Sequence, residues 1–146
     1  HMKLISYDKK TIEYPDNLIY YSVFLSNLPT YDQQVELNNK SCSYIILKNI
    51  IYFLKYHDDF IKNNIDKNNI IRWNNRFFNI SDEILFQIIE ASCFLDIDSL
   101  FELSCNEVTN TIKKCNTPND VRKRFNIKDD ITPEEQQEIY KLSLSL

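Results

Sequence analysis

The spacing of apolar positions changes period along the chain. In "KLISYDKKTIEY" Leu4 and Ser6, then Thr11 and Glu13, alternate with Ile5, Tyr7, Ile12 and Tyr14 across a polar Asp-Lys-Lys turn. This period of two predicts two strands of a hairpin, ended by Pro15. In "DNLIYYSVFLSNL" the period becomes helical, with Leu18, Tyr21, Phe24, Leu25 and Leu28 on one face. A short strand, "VEL", follows the loop "PTYDQQ". "SYIILKNIIYFLKYHDDF" then predicts a longer helix with Ile46, Ile50, Phe53 and Leu54 on one side and lysines on another.

The period is lost in "IKNNIDKNNI", Ile61 to Ile70, where Asn, Lys and Asp mix without order, as in a surface loop joining two halves. Beyond Trp73, Phe77 and Phe78, Ser81 is placed to cap "DEILFQIIEASCFL", whose apolar residues cover nearly the whole circumference and predict a buried helix. "SLFELSCNEVTNTIKK" sets Leu100, Phe101, Cys105, Val108 and Ile112 along one stripe at spacings of three or four. Two Thr-Pro pairs follow in "NTPNDVRKRFNIKDDITPEEQ". Each predicts a helix start, since Thr caps well and Pro at the first helical position gives up only an unpartnered N–H. Asp120 favours the dipole of the first, and Thr132 with Glu135 makes a capping box for the second. Such short helices are marginal alone, so Val121, Phe125, Ile127, Ile131 and Ile139 form an apolar ridge that needs covering, by this chain or by a partner. The expected order is β-β-α-β-α, a loop, then four helices.

Composition narrows the chemistry. A chain of 146 residues fits one domain, with or without an appendage, and 43% hydrophobic with 26% charged residues is globular. Having no glycine excludes every glycine-dependent phosphate loop. A net charge of -4 argues against a nucleic-acid surface; "RKR" at Arg122 to Arg124 reads as a solvated helix face. No apolar run approaches a membrane span. His1-Met2 reads as an expression-tag scar, with Met2 the native start and no leader after it. Cys42, Cys93, Cys105 and Cys115 lack C-x-x-C spacing and read as small hydrophobes of a reducing compartment, cytoplasmic and nuclear. His57, at a helix end, reads as an ordinary cap of the last carbonyls, and the Asp58 and Asp129 pairs as solvated helix flanks. No zinc-ligand spacing and no nucleophile setting emerges, and no cofactor is expected. Trp73 reads as core.

Against this background "FLDIDSLFELSCNEVTNTIKK", the string "TP..VRK.FNIK.D.T.EE" from Thr117 to Glu135, and the opening "KLISYDKKTIEY" resemble the Skp family, adaptor subunits of SCF-type cullin ubiquitin ligases. The resemblance covers nearly the whole chain, and Leu95-Asp96-Ile97 is among its most specific parts. Elongin-C-like and potassium-channel-type relatives fit less well, lacking the C-terminal extension. The resemblance implies an α+β fold: a BTB/POZ-type domain over 3–112, a small sheet with packed helices, followed by C-terminal F-box-binding helices over 113–146.

By position, the resemblance implies an F-box-binding surface of Phe101, Cys105, Val108, Ile112, Phe125, Ile127 and Ile139, with Val121 in local core. It implies a cullin-binding position at Cys93-Phe94, where the family has an Asn-Tyr pair; the aromatic bulk is kept while the amide and the phenol are lost. The family's C-terminal Trp is replaced by alternating Leu142, Leu144 and Leu146, and the acidic loop before the third strand shrinks to "TYDQQ". The function implied is a non-catalytic adaptor with F-box proteins and a cullin as partners. The alternatives are an F-box-binding decoy or chaperone without cullin binding, and a self-associating BTB module that is a homodimer when free.

Overall fold

The computed structural model describes residues 2–29 and 34–125. The hairpin forms as expected: β1 (Met2–Ile5) pairs antiparallel with β2 (Thr11–Tyr14), Leu4 facing Ile12 and Met2 facing Tyr14. Lys9, at φ 64°, makes the left-handed step of the turn. The inward face carries Leu4 and Ser6, both buried. Ser6 is tolerated there because its hydroxyl donates to the Lys10 carbonyl and accepts from the Lys10 N–H. A third strand, β3 (Gln34–Glu36), pairs parallel with β1, Val35 beside Leu4, giving the order β2-β1-β3.

The segment between β2 and β3 departs from the single helix expected. It is a 3-10 turn over Asp16–Tyr21 and a separate short helix, α1 (Val23–Ser26). The break is at Ser22, whose fully buried hydroxyl accepts from the Leu25 N–H and donates to the Leu95 carbonyl, 73 residues away. A long-range contact overrode the local helical period.

The main helix is α2 (Tyr44–Lys62). Ser43 caps it by accepting from the Ile46 N–H, and Asp8 of the hairpin turn accepts from the Tyr44 N–H. Ile46, Ile50, Phe53 and Leu54 line its inward face, buried as the spacing predicts, and Leu47 and Ile51 are buried with them. Each fully buried side chain of this kind contributes roughly 1.5–3 kcal/mol of transfer free energy. The inward row then ends on Asp58, which corrects its reading as a solvated flank: only 7% exposed, it accepts from Asn17 and from the Tyr21 hydroxyl and pairs with Lys62 at 2.7 Å. Lys62, ahead of burial, holds its carboxyl below the usual 3.8; burial and then Asp58 itself push the Tyr21 phenol up to about 12.

The expected loop over Ile61 to Ile70 is mostly helix. Asn63–Asp66 makes the connection, Asn64 at φ 48°, and α3 (Lys67–Phe77) starts behind an Asp66 cap. Its apolar side meets α2 in an aromatic cluster: Trp73 stacks on Phe77 and on Tyr56, and Phe53 packs against Phe77 and Phe78. His57 belongs to this cluster and caps nothing, because α2 runs on to Lys62. Its ring stacks on Phe53 at 4.0 Å and Nε2 lies 2.7 Å from the Asn74 side-chain oxygen, while burial lowers its pKa below 6.5.

Ser81 caps α4 (Asp82–Phe94) by accepting from the Ile84 N–H. Leu85, Ile88, Ala91 and Ser92 point inward, but Phe86 and Cys93 are exposed, so the helix is less completely covered than its composition predicts. α5 (Asp98–Lys113) and α6 (Pro118–Phe125) complete the described chain, which divides into two compact units between Ser104 and Cys105, inside α5. The architecture is α+β, a small sheet with helices packed on it.

Candidate functional site

In the first unit, the C-terminus of α4 is built as an anchored corner. Asp96 is left-handed at φ 53° and closes a Schellman ending: its own N–H donates to the Cys93 carbonyl, and the Ile97 N–H donates to the Ser92 carbonyl. The outward carbonyls of this corner meet the free donors of α1. The Val23 N–H donates to the Asp96 carbonyl at 3.1 Å, the Phe24 N–H to the Leu95 carbonyl at 3.3 Å, and the Ser22 hydroxyl to Leu95 as well. One helix start thus satisfies another helix end. Leu95, Ile97 and Leu100 are buried around the corner and fix its position.

Cys93 and Phe94 sit on this corner. Cys93 is exposed, contrary to the reading of all four cysteines as small buried hydrophobes; Cys42 does fit that reading, its thiol pushed up to about 11 by burial. Phe94 is half-buried with its ring 5.1 Å from that of Phe24, a contact worth roughly 0.5–1.5 kcal/mol beyond its buried area. Val23, 44% exposed, adds apolar surface beside it in sequence. The sequence reading did not place Val23 and Phe24 at this corner; a helical period drawn through Ser22 hid the hydrogen bonds that bring them there. Phe101, one turn into α5, is 37% exposed.

In the second unit, Cys105 and Val108 are partly exposed on α5, while Ile112 is buried at 8% and Val121, on α6, at 4%. Of the predicted stripe, Phe101, Cys105 and Val108 keep open surface and Ile112 does not. α6 starts as its sequence predicts: the Thr117 hydroxyl accepts from the Asp120 N–H at 3.1 Å, and the Asp120 carboxylate accepts from the Asn116 N–H. Phe125 is partly exposed at the end of α6, with the Arg124 guanidinium 5.6 Å from its ring centroid. Ile127, Ile139, the second Thr-Pro start and Leu142, Leu144 and Leu146 lie outside the described residues. Among the described residues no group of His, Cys, Asp and Glu could hold a metal ion, and no helix is long and apolar enough to cross a membrane.

These surfaces present apolar and aromatic groups on a helix face and at a helix corner. Residues 98–142 match the model of the Skp1 family, dimerisation domain, a span that takes in α5 and α6. The chain is 34% identical over 122 residues to the E3 ubiquitin ligase complex SCF subunit sconC of Talaromyces marneffei, covering 79% of this chain and 74% of that one.

The chain belongs to the Skp1 family.

It is also 38% identical over 99 residues to SKP1-like protein 12 of Arabidopsis thaliana, covering 68% of this chain and 64% of the relative. Suppressor of kinetochore protein 1 of Schizosaccharomyces pombe is 28% identical over 151 residues, 96% of this chain and 93% of that protein. Against the Arabidopsis relative the chain spans a little under two thirds of the relative's own length. As a Skp1-family chain it has the BTB/POZ-like α+β fold that its sheet and helices display.

Proposed function

We propose that this Skp1-family chain is a non-catalytic adaptor that holds an F-box substrate receptor on one surface and a cullin scaffold on another. A ubiquitin-loaded enzyme carried by the cullin then reaches a receptor-bound substrate. The observation that carries the reading is the row Phe101, exposed, and Cys105 and Val108, partly exposed, on α5 within the segment that matches the family model. Helix spacing of four and three puts these residues on one face, as a groove-seeking helix would require. The relatives' names, SCF subunit and SKP1-like, support it. The adaptor's contribution is proximity: a rigid spacer raises the effective concentration of lysine and thioester and needs no proton transfer of its own.

The cullin half rests on the Cys93-Phe94 corner. Its anchoring through Leu95 and Asp96 gives a partner a preorganised aromatic edge, with Phe24 behind Phe94. Cys93 offers a weaker hydrogen-bonding group than the amide implied by the family pattern, and Phe94 offers no hydroxyl, which favours a second reading: an F-box-binding decoy or chaperone that does not engage a cullin.

Equilibrium binding of the full chain to an F-box domain and to a cullin N-terminal domain, measured separately, tests both. Binding of both supports the adaptor, F-box affinity alone supports the decoy, and binding of neither rejects the two together. Val108→Glu is expected to weaken F-box binding by about tenfold or more, since it places a charge in an apolar contact, with the unfolding midpoint unchanged.

A further inference from the structure

On the first unit, away from the α4–α5 corner, β2 and α2 enclose a groove of about 310 Å3 lined by Ile12, Glu13, Tyr44, Lys48, Ile51, Tyr52 and Lys55. Three observations converge there. The first is the edge of β2. Among the described residues no strand pairs with its outer side. The Ser6 N–H donates to the Lys10 carbonyl, so hydrogen-bonded pairs recur at Leu4–Ile12 and Met2–Tyr14. The backbone N–H and C=O of Thr11 and Glu13 therefore point outward, free to pair with an added strand.

The second is charge. The Lys10 and Lys48 ammonium groups both lie over the Tyr44 ring, 5.5 and 5.4 Å from its centroid, and Lys55 stands two turns further along α2. Among the described residues none of the three has an ion pair. Asp8, near Lys10, is already engaged by Ser6 and by the Tyr44 N–H. Glu13 is the acidic residue that lines the groove, so a cationic site stands in a chain whose net charge is -4.

The third is the aromatic row. Tyr44, Tyr52 and Tyr56 recur on α2 with Lys48 at four-residue spacing. Tyr52 and Tyr56 are 48% and 40% exposed, with rings 4.8 Å apart, and Tyr56 stacks on Trp73 at 5.0 Å. Exposed tyrosines of this kind are the aromatic anchors that protein interfaces favour.

We propose that this groove docks an extended acidic peptide, which adds a strand to β2 and directs its carboxylates at Lys10, Lys48 and Lys55. Groove-facing residues of a strand recur about every 7 Å. Lys48 and Lys55 are about 10 Å apart along the helix, so neighbouring groove-facing carboxylates reach both.

The test is fluorescence anisotropy of the full chain with a labelled peptide of alternating Glu and Val. The comparison probes are its Lys-Val counterpart, a version N-methylated on alternate residues, and a short oligothymidylate. The Glu-Val peptide is expected to bind with an affinity that falls with salt, the Lys-Val peptide not to bind, and the methylated peptide to lose about tenfold or more, because it cannot complete the strand pairing. The Lys48→Glu, Lys55→Glu double variant, changed at exposed positions, should lose about tenfold or more for the Glu-Val peptide through like-charge repulsion and keep its F-box affinity and unfolding midpoint. No binding of the Glu-Val peptide, or binding untouched by the charge reversal or by N-methylation, overturns the proposal. Tighter binding of the oligothymidylate with the same lysine dependence assigns the groove to nucleic acid and overturns it too.

Discussion

Up to Ser104, α2 alone buries Ile46, Leu47, Ile50, Ile51, Phe53 and Leu54, the sheet adds Leu4, Tyr14 and Val35, and even the ionised Asp58 is enclosed with three partners. From Cys105 to Phe125 the buried residues are Thr109, Ile112 and Val121, while Cys105, Val108 and Phe125 keep open surface. The first region closes a large core of its own and still leaves single apolar side chains such as Ile45, Ile61 and Ile71 on its surface. The second buries few side chains among its described residues, and the family match falls largely there.

Substitutions separate the two regions, and the largest effect belongs to the first. Phe53→Ala removes a fully buried ring that touches Phe77, Phe78 and His57, and is expected to cost about 3–5 kcal/mol, read from denaturant unfolding monitored at Trp73. If the loss is under ~1 kcal/mol, the first region is not the self-sufficient one. Asp58→Ala strands the Tyr21 hydroxyl and the Asn17 amide, and is expected to cost about 1–2 kcal/mol in the same assay. Thr117→Ala removes the α6 cap and is expected to cost about 1 kcal/mol. That loss should appear as faster amide exchange in Val121 to Phe125, with protection of α2 unchanged; equal acceleration in α2 would mean that the two regions open as one.

The smallest effect is the pH response of His57. Burial holds its pKa below 6.5, so the folded state keeps it neutral while the unfolded chain takes up a proton. The stabilisation is present above about pH 6.5 and is lost as pH falls toward the folded value. A melting midpoint that declines from pH 6.5 to 5.5, and declines less in His57→Gln, is the expected outcome. Asp58 does not obscure it, because its depressed pKa keeps its contribution until pH drops below 3.8.

Much of the first region was legible because local signals agreed with the packing: the hairpin period, the Ser43 and Ser81 caps, and the inward row of α2. What escaped was set by distant contacts. Asp58 reads as a solvated flank until Asn17 and Tyr21, 41 and 37 residues earlier, are brought beside it. Ser22 breaks a helical period for the sake of Leu95. α3 was missed because its first turn, "KNN", is polar; Asp66 as a cap with Ile70, Trp73 and Phe77 at helical spacing was the available signal. In the candidate site, the helical face of Phe101, Cys105 and Val108 followed from period alone. Which of its members stay open did not, since Ile112 is withdrawn by burial that no pattern on α5 reports.

Because the chain contains no glycine, the left-handed residue that ends α4 carries a side chain. Asp96 is exposed, next but one to Phe94, so a carboxylate stands close in sequence to the aromatic edge. A protein that docked on that edge would meet an acidic side chain there, and one with an arginine at the matching position would be favoured over one with a glutamate.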